Sequence, residues 1–497
     1  MKKTAGANGQ KKLLKNSLSS LLSYCFLLLF SIISSKFVLV SYGSEANGLL
    51  SSVNQIFSYI ALLEAGIGTS TVSALYRPIS ENDDDSIADV LSASRYYYRT
   101  SAKWYFVCVI AVSCIWPLLI ESSISYIHIA ALIFFQGVAG VLTYWFTSSA
   151  VNYLVATGCN YVNNRVHLAA SLATYALKII ICTAELDIVF ISVASITVNI
   201  LKCLAYYIFL KRNCPVYFEQ KKPDKSLLKQ RNSFLIHEVS GVIFSSTDTI
   251  ILSIFCGLTE ASVYAVYAMV ISALKTIISQ VFNGTNYVLG KSYADSEGHY
   301  ETVHDRYNAV YVCLAFAIYT ITLYLMIPFL TLYTAGVTDA DYLDPKLPIL
   351  FVLIELLSSC RIVDNQLVRI SLHARQTANR AVIEACINIV VSVIAVQFIG
   401  IYGVLLGTIA ALLYRTNDFI IYGNRRILKR SPLKEYILML TNFAVFIGFV
   451  LTERSVNFVP KTYLHLICVA VPISIVVTLV YVVINYVLNR FLLRKLV

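Results

Sequence analysis

The chain is organised as long apolar runs separated by short polar segments. Runs of 18 or more mostly apolar residues recur along its whole length, and each is long enough for a transmembrane helix. Turn signals such as Ser41-Tyr42-Gly43, Thr157-Gly158 and Ala335-Gly336 separate these runs. The pattern predicts an all-α, polytopic membrane protein with about fourteen transmembrane helices. The predicted spans are 17–40, 48–76, 103–120, 125–157, 165–185, 187–211, 233–256, 261–290, 307–330, 347–373, 380–400, 402–423, 435–452 and 463–489.

Composition supports this interpretation. The 497 residues are 58% hydrophobic and 13% charged, whereas soluble domains are about 45–50% apolar and about 25% charged. The mean hydropathy is +0.70. The twelve cysteines fall in apolar runs or short loops without any Cys-x-x-Cys spacing. We therefore expect no disulfide framework and no resident metal or cofactor.

The loop charges predict the orientation of the chain. Lysines and arginines that stay in the cytoplasm mark the inside loops of a membrane protein. With the N-terminus inside, most loop bases fall on the inside, and the outside segments hold only Lys36, Lys346, Arg454 and Lys461. We therefore expect both termini to be cytoplasmic. The net charge of +11 follows from this topology and does not indicate a nucleic-acid partner.

A weak internal repeat suggests two lobes. Lys15-Asn16-Ser17 opens the first span and Arg231-Asn232-Ser233 opens the seventh. Parallel repeats of this kind are common in transporters, which place the substrate between the halves. The predicted organisation is an N-terminal lobe at 1–212, a cytoplasmic linker at 213–232, a C-terminal lobe at 233–424 and two further helices at 425–497.

Three stretches resemble a known family. The residues SYGSEANGLLSSVNQIFSYIALLEAGIGTSTVSALYRPI at 41–79, STDTIILSIFCGLTEASVYAVY at 246–267 and IGIYGVLLGTIAALLYR at 399–415 are similar to Wzx-type polysaccharide flippases. These flippases belong to the MOP exporter superfamily, together with MATE drug exporters and lipid II flippases. The resemblance covers nearly the whole chain.

That resemblance implies both a fold and a function. The fold would have two six-helix lobes around a central cavity, followed by two C-terminal helices. The substrate would be a polyprenyl-diphosphate-linked oligosaccharide repeat unit, flipped across the bacterial cytoplasmic membrane for O-antigen, capsule or exopolysaccharide synthesis. The implied partners are membrane lipids, a polysaccharide polymerase and a chain-length regulator.

Two acids inside predicted spans are candidates for ion coupling. Glu64 lies in the apolar stretch Leu62-Leu63-Glu64-Ala65-Gly66, and Asp248 lies in the seventh span. An ionisable group in a span costs roughly 2.5–3.5 kcal/mol to insert, so it faces the protein interior or a water-filled cavity. Glu64 shares a predicted helical face of small residues that permits close helix approach. It therefore either pairs with a base and fixes packing, or takes part in ion coupling.

Lys178 and Lys275 are the main candidates for binding a diphosphate. Each lies near the middle of a predicted span and has no acid within four residues. A base that is free to exchange partners suits a phosphate ligand. The alternative is that these lysines pair with Glu64 or Asp248 across the bundle.

Arg361 and Arg415 are further candidates for the diphosphate site. Each has an acid three residues later, Asp364 and Asp418 respectively, and this spacing predicts a local ion pair on one helical face. Such pairs would neutralise the arginines.

Two polar clusters lie in cytoplasmic segments. His299 and His304 lie among acids, where a solvated helix is the favoured interpretation and a metal site is the alternative. Asp83-Asp84-Asp85 is interpreted as a solvated linker between spans two and three.

Three functional classes can be compared from these features. A flippase agrees with the resemblance and with the prominent buried bases. A MATE-type, cation-coupled exporter of small molecules is the alternative, and its cavity would be dominated by acids. A polysaccharide polymerase or membrane glycosyltransferase would be an enzyme, but polymerases of this pathway carry a large outside loop, which this chain lacks. We therefore expect a transporter and not an enzyme.

Overall fold

A computed structural model describes residues 2–219, 221–228, 242, 246–283, 286–295, 297–453 and 458–492. Within these residues the chain is helical and contains no strand, which confirms the predicted all-α fold. The helices are α1 (Lys2–Ile60), α2 (Ile67–Glu81), α3 (Asp84–Leu119), α4 (Tyr126–Leu142), α5 (Ser148–Ala156), α6 (Asn160–Thr183), α7 (Val189–Asn213), α8 (Ser246–Phe255), α9 (Leu258–Asn283), α10 (Asn286–Asp295), α11 (Glu297–Tyr333), α12 (Leu347–Cys360), α13 (Ile362–Ile370), α14 (Ala374–Ile399), α15 (Ile401–Tyr422), α16 (Leu433–Glu453) and α17 (Tyr463–Val487).

Eleven helices in the described residues are long and apolar enough to cross a membrane. Three predicted spans fall outside this set, each for its own reason. The span at 48–76 begins inside α1, beyond a kink at Gly43 (φ 83°), and then breaks. The span at 347–373 is divided at Arg361. The span at 233–256 is described mainly from Ser246 onwards, as a short apolar helix.

The helices extend further than hydropathy predicts. The loop expected at 77–102 is wrong, because α2 continues to Glu81 and α3 begins at Asp84. The Asp83 side chain accepts a hydrogen bond from the backbone N–H of Ser86 at 3.1 Å and caps α3. Acids in the first turn also interact favourably with the positive end of the helix dipole. The acidic run is therefore a helix start and not a linker.

The chain forms two compact units, Met1–Ser262 and Val263–Val497, and passes from one to the other within α9. In the first unit, α1, α3, α4 and α7 enclose a core that includes Leu49, Val109, Leu132 and Ile191. The predicted lobe boundary at 213–232 and the separate C-terminal pair at 425–497 stay predictions.

In the second unit, α11 and α12 pack with α16 and α17. Phe316, Val352 and Tyr481 are almost fully buried in this core. The side-chain amides of Asn442 on α16 and Asn485 on α17 exchange hydrogen bonds of 3.1 and 2.9 Å. Polar pairs of this kind join helices where lipid offers no alternative partner.

Helices α14 and α15 form a tight hairpin because α15 carries small residues at the contact. An ideal Cβ on Gly403 would lie 2.3 Å from the carbonyl carbon of Ala395, and one on Gly407 would lie 2.1 Å from Ser392 Oγ. The spacing of these two glycines is the Gly-x-x-x-Gly pattern that lets two helix backbones approach closely.

This hairpin generates a stability prediction. Gly403→Ala should lower the free energy of unfolding by about 1–3 kcal/mol, because the added methyl group overpacks the contact with α14. The measurement is the thermal midpoint of the purified protein in detergent. Gly448→Ala on α16 is the matched control, since a Cβ there meets nothing within 4 Å. Equal midpoints for the two variants would contradict the close approach.

Candidate functional site

A helix break places Glu64 outside regular helix, within the stretch predicted to span the membrane. Helix α1 ends at Ile60, a 3₁₀ turn follows over Ala61–Glu64, and Gly66 has a φ of 76° before α2 begins. Glycine adopts this positive φ without a Cβ clash. The predicted small-residue face around Glu64 is therefore wrong, because that face requires a continuous helix.

The backbone groups at the break are satisfied within the protein. The Ser101 hydroxyl on α3 donates to the carbonyl of Leu63 at 2.8 Å, and the Ala65 N–H donates to the carbonyl of Leu62 at 3.0 Å. Non-helical backbone at membrane depth occurs only where it is buried in protein or lines a water-filled cavity. Discontinuous helices of this kind form the substrate and ion sites of many transporters.

An aromatic wall faces Glu64. The Tyr144 hydroxyl donates a hydrogen bond to the Glu64 carboxylate, and the Tyr105 ring packs edge-on against Tyr144 with centroids 5.0 Å apart. Tyr144 lies in a π-helical turn, Thr143–Thr147, between α4 and α5. Single π turns within helices are frequent at functional sites. Two irregular stretches from different helices therefore meet at one carboxylate.

Asp248, the second predicted coupling acid, is buried on α8. It lies close to Tyr59, near the C-terminal end of α1, and the Tyr59 hydroxyl hydrogen-bonds to the neighbouring Thr247. Ser52 on α1 hydrogen-bonds to Ser253 on α8. Both predicted coupling acids therefore belong to the first unit and flank the end of α1.

Lys178 is half-buried on α6. It forms no ion pair with any acid in the described part of the chain, so the alternative of a fixed partner such as Glu64 finds no support. Cys182, one turn later, is a close neighbour. No acid of the described residues therefore holds the Lys178 ammonium in place.

Lys275 has a partner that the local sequence does not indicate. Its ammonium lies 3.2 Å from Glu355 on α12, and the Tyr319 hydroxyl donates to the other carboxylate oxygen at 3.3 Å. The Lys275 side chain is 53% exposed, whereas that of Glu355 is 8% exposed. Glu64 and Asp248 were the alternative partners for Lys275. The structure instead pairs Lys275 with Glu355, an acid of the same unit.

The second unit also holds a chain of alternating charges, which we call the arginine network. Arg361 pairs with Glu384, which also lies 3.4 Å from Arg415. Arg415 then pairs with Asp418 at 2.7 Å, and Asp418 pairs with Arg380. The network contains three arginines and two acids, and each arginine contacts at least one of the acids.

The arginine network confirms one predicted pair and corrects another. The local pair Arg415–Asp418 is present. The predicted pair Arg361–Asp364 is wrong, because Arg361 lies at the junction of α12 and α13 and turns toward α14. Among the described residues Asp364 instead faces His304. Arg380 and Glu384 form ion pairs only because tertiary packing brings them next to Asp418, Arg361 and Arg415. No local spacing in the sequence indicates these pairs.

The prediction for His304 is also wrong. Its side chain is fully buried on α11 rather than solvated, beside Asp364 and Glu435. The side chain of His299 lies outside the described residues.

A basic and aromatic cavity of about 860 Å³ lies within the first unit. Arg95, Arg99 and Lys103 of α3 line it together with apolar side chains such as Phe146 and Leu204. Arg95 is held by the backbone carbonyls of the 217–219 segment. The cavity therefore combines positive charge with apolar surface.

No family model and no curated protein matches the sequence. Solved structures match over most of the chain. A multidrug resistance MATE family transporter of the MOP superfamily, in an inward-facing conformation, is 15% identical with a TM-score of 0.71, over 81% of this chain and 95% of that chain. Lipid II flippase MurJ, in an inward closed conformation, is 13% identical with a TM-score of 0.67, over 94% of this chain and 99% of that chain.

A MOP superfamily transporter from Pyrococcus furiosus Vc1 is 15% identical with a TM-score of 0.58, over 83% of this chain and 96% of that chain. The chain therefore has the MOP-superfamily transporter fold, which MATE transporters and the lipid II flippase share. These neighbours are transporters and flippases, not enzymes.

The Lys275–Glu355 pair generates a prediction about stability. Lys275→Met should lower the free energy of unfolding by about 1–3 kcal/mol, because it leaves a buried carboxylate with only Tyr319 as a partner. Adding Glu355→Gln should restore most of the loss. The measurement is a double-mutant cycle of thermal midpoints in detergent.

The exposed pair Arg77–Glu81 provides the control, with side chains 85% and 54% exposed. Arg77→Met should leave the midpoint almost unchanged. A Lys275→Met midpoint equal to that of Arg77→Met would contradict a stabilising pair at Lys275.

Proposed function

We propose that the protein flips a polyprenyl-diphosphate-linked oligosaccharide repeat unit across the bacterial cytoplasmic membrane by alternating access. The observation that supports this proposal is Lys178 in the first unit, a half-buried base that forms no ion pair with an acid in the described residues. The arginine network of the second unit adds three bases that contact two acids. A diphosphate is the anionic group that such bases would bind. The repeat unit would serve O-antigen, capsule or exopolysaccharide synthesis.

The extent of the structural matches supports a lipid-linked substrate. The match to the lipid II flippase covers 94% of this chain, so the unmatched residues are fewer than the 21 and 25 residues of α16 and α17 together, and the match includes part of this helix pair. The match to the inward-facing MATE transporter covers 81%. The basic and aromatic cavity of the first unit also suits an amphiphile with an anionic group better than a soluble cation.

The four predicted diphosphate ligands differ in how readily they could reach a substrate. Lys178 has no fixed acidic partner among the described residues, and Lys275 is half-exposed beside its acid. Arg415 is held between two acids and is 5% exposed. Arg361 has one recorded acid partner, Glu384. We propose that Lys178 and Lys275 make the first contacts and that the arginines act through the net charge of their network.

Glu64 and Asp248 would couple transport to an ion. Both are carboxylates of the first unit next to the end of α1, and Glu64 lies at a break that can change its backbone angles. Movement at such a break would alter the contact between Glu64 and Tyr144. The implied polymerase and chain-length regulator would receive the flipped repeat unit on the outer side.

A MATE-type exporter of small cations is the second candidate. The acids Glu64 and Asp248 favour it, as does the TM-score of 0.71 to a MATE transporter. A cation exporter would use these acids to bind its substrate, whereas a flippase would use them only for coupling. One pair of assays separates the two functions.

The first prediction from this proposal concerns Lys178. Lys178→Ala should slow flipping of a fluorescent polyprenyl-diphosphate disaccharide in proteoliposomes by roughly 10- to 100-fold, because a hydrogen bond to a charged group is worth about 1.5–3 kcal/mol. Lys178→Arg should restore part of the rate. Lys211→Ala is the control, because Lys211 is exposed in the last turn of α7, and this variant should flip normally.

Uptake of ethidium into the same vesicles tests the second candidate. Flipping of the disaccharide without ethidium transport agrees with the proposal. Ethidium transport that needs Glu64, with no flipping by the unaltered protein, would replace the flippase by a cation exporter.

The second prediction concerns Glu64. Glu64→Gln keeps the shape and the hydrogen bond with Tyr144 but removes the charge that couples transport to an ion. We expect the variant to fold and to bind the labelled lipid, but to lose the acceleration of flipping by a proton or sodium gradient. Gradient-driven flipping at the unaltered rate would rule out coupling at Glu64 and leave it a packing role.

A further inference from the structure

Three buried side chains from separate helices converge in the second unit. They are His304 on α11, Asp364 on α13 and Glu435 on α16, and each offers one donor atom within 4.8 Å of the other two. His304 and Asp364 have no exposed surface, and Glu435 is 6% exposed. We call these residues the His304 cluster. It lies apart from the bases and acids assigned to transport.

Most donor atoms of the cluster have no hydrogen-bond partner within the described part of the chain. This holds for both ring nitrogens of His304, both carboxylate oxygens of Asp364 and Oε2 of Glu435. The closest approach, from His304 Nε2 to Asp364 Oδ1, is 3.6 Å, beyond hydrogen-bonding distance. The buried hydroxyl of Tyr300, one turn before His304, also has no hydrogen-bond partner in the described residues. Buried polar groups are rarely left unpaired, so several together indicate a missing ligand.

The charges around the cluster favour a cation. Arg430 donates to Asp305 at 2.6 Å and to Glu435 Oε1 at 3.3 Å, and Lys434 lies 3.7 Å from Asp305. Two bases therefore face three acids: Asp305, Asp364 and Glu435. The bases are directed to Asp305 and to one oxygen of Glu435, so among the described residues Asp364 faces His304 but forms no ion pair with a lysine or an arginine. A positive ion next to Asp364 would balance the set.

We propose that His304, Asp364 and Glu435 bind a divalent transition-metal ion, with Zn²⁺ and Mn²⁺ as the best-fitting candidates. Imidazole suits Zn²⁺, and carboxylates suit Mn²⁺, so a mixed set of one imidazole and two carboxylates accepts either. Ligand bonds of about 2.0–2.2 Å place neighbouring donors about 3–3.6 Å apart. The separation of His304 Nε2 and Asp364 Oδ1, 3.6 Å, lies at this limit. The 4.0 Å approach to Glu435 Oε1 is made by the other ring nitrogen, Nδ1, so binding of all three residues to one ion requires side-chain rotation.

The ion would join the helix pair α16–α17 to the rest of the second unit. Glu435 lies in the first turn of α16, whereas the other two ligands belong to α11 and α13. All three lie near helix ends that the loop charges place on the cytoplasmic side. The site would therefore be structural and supplied from the cytoplasm. This inference does not depend on the proposed transport function.

The experiment uses the full chain, purified in detergent with a tag that contains no histidine. The protein is stripped with EDTA, incubated with ZnCl₂ or MnCl₂, desalted and assayed for retained metal. We expect one ion per chain and a higher thermal midpoint with metal than without it. X-ray absorption at the bound Zn²⁺ should show one nitrogen and oxygen ligands at about 2.0–2.2 Å.

Variants assign the site. His304→Ala and Asp364→Asn should lose both the retained metal and the midpoint increase. His128→Ala is the matched control, because His128 also lies beside a carboxylate, 3.2 Å from Asp187, but both side chains are nearly half exposed. This variant should keep the metal.

Two results would overturn the proposal. One is retention of metal by His304→Ala at the level of the unaltered protein. The other is an unaltered protein that retains neither ion and melts at the same temperature with and without them, which would make the cluster a buried imidazolium–carboxylate group. The second result needs no variant, so it decides the matter even if the variants fail to fold.

Discussion

The structure depends on one constraint: within a bilayer, every charge and every backbone group needs its partner inside the protein. Lipid supplies no hydrogen bonds, so an unpaired group at membrane depth costs several kcal/mol. The Lys275–Glu355 pair and the arginine network satisfy this constraint with alternating charges. Where the constraint is only partly met, as at Lys178 or at the His304 cluster, a ligand is the simplest explanation. The ligands proposed for this protein are therefore placed at these groups.

The need for partners inside the protein also applies to the irregular backbone of the membrane-spanning segments. The break at Glu64, the π turn at Tyr144 and the junction at Arg361 each interrupt a membrane-spanning segment. Each also carries a residue that takes part in a polar contact with another helix. A regular helix would hold these side chains on a fixed face and at a fixed height. The interruptions allow them to meet partners that a straight helix would not present.

The sequence predicts the helices well and their interruptions poorly. Hydropathy detects apolar length, so eleven of the fourteen predicted spans coincide with long apolar helices in the described residues. The residues around Glu64 predict a continuous helix, because Ala, Leu and Glu are strong helix formers. Within Leu62–Gly66, Gly66 is the residue that indicates a break. The charged neighbours of His304 in the chain predict a solvated side chain. Its burial comes from α13 and α16, which no local pattern can reveal.

The close contact between α14 and α15 has a mechanical consequence. Gly403 and Gly407 bring the two helix backbones so close that a displacement of one helix is expected to carry the other with it. Four members of the arginine network travel on this hairpin: Arg380 and Glu384 on α14, and Arg415 and Asp418 on α15. Arg361 is the member anchored elsewhere, at the junction of α12 and α13. The Arg361–Glu384 ion pair and the hydrogen bond from the Thr416 hydroxyl to the Leu357 carbonyl on α12 are therefore among the polar contacts that would change if the hairpin moved past α12.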